Sequence, residues 1–179
     1  ILTGPNGCGK STLLHLIAKT IPLQKGSISY AKSIKHIHII DQQLQTIGHL
    51  TVEEYCNLGA YFNQSTTTYL QQQQRLTSYL DSLELSTHRK HFMYQLSRGQ
   101  QQRAVVANCL CASPDLILAD EPVSAQDNIG CDLIYNVIQN YCDQNEATCV
   151  SIEHNTTVFK YATSIHPLFD QQTTPSNNY

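Results

Sequence analysis

The chain has 179 residues and a formal net charge of −3, a size that suits one domain or one domain with a small insertion. That balance argues against an electrostatic nucleic-acid footprint, so no nucleic-acid partner is expected. No apolar run approaches the length of a membrane-spanning helix, and the seven scattered cysteines form no C-x-x-C pair, which fits a reducing cytoplasm.

In chain order, Ile1-Leu2-Thr3 leads at once into Gly4-Pro5-Asn6-Gly7-Cys8-Gly9-Lys10-Ser11-Thr12. This stretch matches G-x-x-x-x-G-K-[ST]. The glycines let backbone N–H groups turn inward around phosphate oxygens, Lys10 reaches the outer phosphates, and the Ser11 hydroxyl can ligate Mg²⁺. A helix that opens at the loop also turns its positive end on the anion. Gly4, Asn6, Gly7, Cys8, Gly9, Lys10, Ser11 and Thr12 are therefore the candidate nucleotide-binding residues. Cys8, held among N–H groups and beside Lys10, is a candidate reactive thiol. Such a loop normally follows a buried strand. With three residues before it and no Met at position 1, the chain reads as lacking its natural start, including at least one strand.

Leu13, Leu14, Leu16 and Ile17 form an apolar stripe that predicts a helix from about 10 to 20. Pro22 and Gly26 punctuate its end. Ser27 to Tyr30 and Lys35 to Asp41 read as strands. His36 and His38 share one face of the second, more simply as a solvated or satisfied pair than as a metal site. Thr51 is a plausible N-cap, with Glu53 and Glu54 in the first turn of a helix through about Phe62. Residues 63–74 are polar and low in complexity, a surface loop running into a helix that ends near Leu83. A further helix spans about Gln100 to Cys111. Asp115 to Ala119 is a short apolar run ending in acid, the pattern of a buried parallel strand. Leu133 to Tyr141 marks a helix and Thr148 to Ile152 the next strand. The alternation predicts an α/β fold with a mostly parallel sheet. The helical stretch interrupts it, giving a core at 1–42 and 114–170, an inserted helical subdomain at 43–113 and a flexible tail at 171–179.

A phosphate loop needs a second acid to hold Mg²⁺, and Asp120 at the strand end suits it. Glu121 follows and could polarise an attacking water. Ser97, Gly99 and Gln100 open a new helix, where N–H groups, a hydroxyl and a glycine make either a second anion site or a simple N-cap.

Taken together these segments resemble the ATP-binding cassette (ABC) ATPases. LSRGQQQR, from Leu96 to Arg103, resembles their signature motif, GPNGCGKST their Walker A, and LILADEP their Walker B with its catalytic Glu121. Ser124-Ala125-Gln126-Asp127 is similar to their D-loop and His154 to their switch histidine. Gln42 looks like the Q-loop glutamine, with Gln43 beside it leaving the register open by one. The six elements stand in the family's order across residues 4–154.

The resemblance implies a P-loop NTPase core that binds ATP with Mg²⁺ and hydrolyses the nucleotide. Two cassettes pack head to tail, so Ser97, Gly99 and Gln100 act on the partner's γ-phosphate. Glu121 positions or deprotonates water, His154 contacts the γ-phosphate, and Gln42 senses nucleotide and partner; Ser11, Gln42 and Asp120 hold the metal. The implied partners are a second copy or a paired ATPase subunit, and integral membrane permease subunits, with the cassette peripheral on the inner face of the cytoplasmic membrane. Arg98 stands where the family more commonly has Gly, and Gln126 where it has Leu, a change expected to weaken communication between sites. The family's adenine-stacking aromatic lies upstream of residue 1. QQQR with LILADEP looks most like the lipoprotein-release and macrolide-export branch, while the short segment before Gln42 looks more like metal-ion importers; the balance leans to export. The alternative is a soluble ABC ATPase acting on ribosomes or DNA.

Overall fold

The structure is a computed structural model that describes residues 1–41, 48–62 and 68–168. Its strands are β1 (Leu2–Thr3), β2 (Ile37–Ile40), β3 (Leu116–Asp120), β4 (Thr148–Ile152) and β5 (His166–Pro167), and its helices are α1 (Lys10–Ile17), α2 (Val52–Phe62), α3 (Tyr69–Ser82), α4 (Arg98–Cys111) and α5 (Asn128–Asn145). The strands form one sheet in the order β2-β3-β4-β1-β5, with every neighbouring pair parallel. β1 therefore lies inside the sheet, and its carboxyl end, with those of β3 and β4, opens on one rim. Ligands of open α/β sheets bind at that rim.

β3 shows why its sequence is apolar throughout. All five of its residues are buried, and successive side chains of a strand point to opposite faces. Leu116 and Leu118 pack with Leu14 of α1 and Ile152 of β4. Ile117 and Ala119 belong to the other layer, with Ala107 and Leu110 of α4 and Ile134 and Ile138 of α5. A strand covered on both faces has no position for a polar residue until it ends, at Asp120.

The helices α2, α3 and α4 follow one another between β2 and β3. α2 and α4 approach closely at Gly59, where a Cβ would lie 2.0 Å from the Asn108 carbonyl oxygen. Asn108 Nδ2 donates to the Tyr55 oxygen at 2.7 Å, which ties the pair. α3 opens on Thr68, whose hydroxyl accepts from Gln71 N while Gln71 Oε1 accepts from Thr68 N, a reciprocal cap that satisfies two end groups.

Several expectations need correction. Ser27 to Tyr30 is not a strand. A strand needs a ladder partner, and among the described residues this segment has none; the Tyr30 hydroxyl instead donates to the Ile17 oxygen at 2.6 Å, and Lys19 sits over its ring. The first helix also stops at Ile17, capped by Ala18, and the chain leaves it through a left-handed Lys19 at φ 59°. α4 begins two residues earlier than expected and α5 five, because Ser97 and Asp127 cap them. Residues 69–74, expected within a polar loop, instead form the first turns of α3 behind the Thr68 cap; Gln42, Gln43, residues 63–67 and the tail lie outside the described residues. Among the described residues no helix is long and apolar enough to cross a membrane.

Candidate active site

The loop after β1 climbs off the sheet and delivers its residues to a cleft of about 660 Å³. Asn6, Gly7, Gly9, Lys10, Ser11 and Thr12 line one side of it, and Asp120, Glu121, Ile152 and His154 the other. Gly7 and Gly9 take φ of 78° and 94°, a left-handed backbone that side chains with a Cβ resist. That geometry folds successive N–H groups toward a common point, and Gly9 is also the N-cap of α1. Lys10 is only 6% exposed. Its ammonium donates to the Gly4 and Pro5 oxygens, each at 2.9 Å, so the loop's own carbonyls hold the cation at the cleft. Cys8 is half-buried and does not line the cleft; its sulfur faces Gly4, 3.1 Å from where a Cβ would stand. Of the eight loop candidates, Gly4 and Cys8 contribute framework rather than cleft surface.

The opposite wall comes from the ends of β3 and β4. Asp120 is the last residue of β3 and 4% exposed. The next residue, Glu121, turns left-handed at φ 49°, which swings its carboxylate off the strand line. Its N–H still donates to the Ile152 oxygen at 3.1 Å, so the turn stays bound to β4. His154 Nε2 lies 3.5 Å from Glu121 Oε1, an ion pair whenever the imidazole is protonated. A carboxylate, an imidazole and a set of N–H donors on one cleft can orient a water against a phosphoryl group.

Sequence reasoning missed Glu153. It is 3% exposed and accepts from the Tyr135 hydroxyl at 2.7 Å, which in turn lies 3.1 Å from Ser151 Oγ. Burial pushes this carboxyl up to about 7, with Glu121 and Asp120 adding like charge. A partial signal was present: Ile152-Glu153 repeats, at the end of β4, the apolar-to-acid step of Ala119-Asp120 at the end of β3.

A family profile described as ABC transporter matches residues 1–124. The chain belongs to the ABC transporter family. A thiamine import ATP-binding protein of Photorhabdus laumondii is 30% identical over 86% of this chain and 68% of its own. An uncharacterized ABC transporter ATP-binding protein of Methanocaldococcus jannaschii, MJ1508, is 29% identical over 95% and 81%. Among solved structures, the dimeric ABC transporter cassette MJ0796 is similar at a TM-score of 0.81 with 26% identity, covering 93% of this chain and 78% of that one. The same cassette in a post-hydrolysis state bound to ADP and Pi is similar at 0.80. The parallel sheet with its phosphate loop is thus the ABC ATPase fold, and the chain is an ATP-binding, ATP-hydrolysing cassette.

In this ABC chain the signature lies away from the cleft. Ser97 caps α4, its hydroxyl accepting from Gln100 N at 3.2 Å while Gln100 Oε1 accepts from Ser97 N at 2.9 Å. Gly99 abuts the D-loop of its own chain. The simple-cap reading of Ser97 is therefore correct locally, and it leaves the helix's N-terminal turn facing outward. Ser11 and Asp120, a hydroxyl and a carboxylate on facing walls of one cleft, are the hard oxygen donors that Mg²⁺ takes. Gln42, the third expected ligand, lies outside the described residues.

Proposed function

We propose that this cassette is the nucleotide-driven subunit of a transporter and works as a head-to-tail pair. The observation that carries the reading is the convergence of Lys10, Ser11, Asp120, Glu121 and His154 on one cleft while Ser97, Gly99 and Gln100 stand outside it. A signature that cannot reach its own cleft is free to close the partner's. Gly7, Gly9 and Lys10 hold the phosphates, Ser11, Asp120 and Gln42 hold Mg²⁺, Glu121 orients and deprotonates the attacking water, and His154 contacts the γ-phosphate. Mg²⁺, held there, would supply charge neutralisation for the phosphates. The core at 1–42 and 114–170 carries the nucleotide, and the helical segment at 43–113 carries the signature to the partner.

The pair drives separate integral membrane permease subunits from the inner face of the cytoplasmic membrane. Relatives named for thiamine import and, in Shigella flexneri, for taurine import support uptake over export as its direction. Glu121→Gln tests the reading. The variant should still bind ATP, lose at least about a hundredfold in turnover, and accumulate as a nucleotide-bound dimer on size-exclusion chromatography. Turnover at the wild-type rate would remove Glu121 as the catalytic carboxylate.

A further inference from the structure

The signature turn and the D-loop of one chain are joined by two glutamine side chains. Gln102 is 3% exposed on α4. Its amide donates to the Glu121 oxygen and to Ser124 Oγ, both at 3.3 Å. Its oxygen accepts from Ala125 N and from Gln126 Nε2, both at 3.2 Å. Gln126 Nε2 also donates to the Gly99 oxygen at 2.8 Å. All four amide protons of the two side chains thus have an acceptor, which fixes both amides in one orientation.

The surrounding glycines fit this arrangement closely. A Cβ at Gly99 would come within 3.2 Å of both the Ala125 oxygen and Gln126 Nε2, and one at Gly130 within 2.3 Å of Gln126 Oε1. Gln126 therefore curls into space that Gly130 leaves open and meets the backbone at Gly99. Leucine, the family's commoner residue at this position, has no donor for that carbonyl. The substitution expected to slacken the D-loop adds hydrogen bonds to it.

We propose that Gln126 is a positioning residue for turnover. Through the Gly99 carbonyl and Gln102 it locks the signature turn to the backbone that carries Glu121. The surface offered to a partner cassette and the catalytic carboxylate of the chain's own cleft then move as one body. This rests on the functional reading above, in which the signature completes the partner's site.

The test compares the wild type with Gln126→Met, which keeps the side chain's length and loses its donor. Amide hydrogen exchange is read on a peptide spanning 97–103, alongside steady-state ATP turnover. The exchange of that peptide should speed up several-fold while the melting temperature moves by no more than about 3 °C. Turnover should fall about tenfold with a change in KM for ATP below about twofold, the mark of lost positioning rather than lost binding. If Gln126→Met melts far below the wild type, Gln126→Leu carries the same comparison. Unchanged exchange overturns the proposal, and so does faster exchange with wild-type turnover. A wild-type protein without ATP turnover would instead sink the functional reading, so the two failures are told apart.

Discussion

Replacing Glu153 with glutamine should stabilise the protein at alkaline pH and leave it unchanged in acid. The carboxyl is 3% exposed, and burial, with the like charges of Glu121 and Asp120, raises it from 4.5 to about 7. The folded protein therefore holds this proton more tightly than the unfolded chain does. That contribution is fully present below 4.5, the unfolded value, and is lost as pH rises through about 7. At about 1.4 kcal/mol per pH unit, the loss comes to about 3 kcal/mol. Glutamine keeps the oxygen that accepts from the Tyr135 hydroxyl at 2.7 Å and carries no charge at any pH. In a domain this size the difference amounts to roughly 6–12 °C in melting temperature. Thermal melts of both proteins from pH 4.5 to 8.5 should give curves that coincide in acid, diverge between about 5 and 7, and stay apart above. A gap that is constant with pH, or that widens toward acid, would refute the reasoning.

Gly59→Ala sets helix propensity against packing. The methyl gains about 1 kcal/mol of propensity but enters 2.0 Å from the Asn108 backbone oxygen, so a net loss of about 1–3 kcal/mol is expected and a melting temperature several degrees lower; an unchanged or higher value would mean that α2 and α4 have slack. Ser97→Ala removes the hydroxyl that accepts from Gln100 N and should cost about 1 kcal/mol as a lost cap. ATP turnover should fall more than about tenfold if, as proposed, the same hydroxyl also serves the phosphate of a head-to-tail partner; a drop no larger than the stability loss explains would leave Ser97 as a cap alone.

The nucleotide side of the site was legible because its chemistry is local. Four positions at fixed spacing specify the phosphate loop, and an apolar strand ending in Asp120 places an acid on the same cleft. The sheet was legible for a related reason: β3 is a run buried along its whole length whose polarity changes only at Asp120, and β4 is a short β-branched-rich stretch with its inner end buried. What escaped depends on contacts between distant segments. Ser27 to Tyr30 has strand-like composition, yet strand formation is decided by a neighbour that the segment itself does not encode. Gln126 looked like a weakened D-loop until Gly99 and Gln102, more than twenty residues away, appeared as its acceptors. Glu153 drew no notice beside His154, and the packing of Tyr135 against β4 is what shows that it is a carboxyl out of water.

The left-handed backbone at Glu121 has a consequence for how such a protein can change. A side chain at φ 49° carries a steric cost of about 1 kcal/mol, which glycine does not bear and asparagine bears less. Glu121→Gly or Glu121→Asn would ease that cost while deleting the carboxylate. With Glu121 as the proposed catalytic carboxylate, local backbone strain and turnover pull in opposite directions at this residue. In the proposed mechanism, a cassette that binds nucleotide without turning it over therefore lies one substitution away, at a position where the backbone itself does not defend the carboxylate, with its phosphate loop intact.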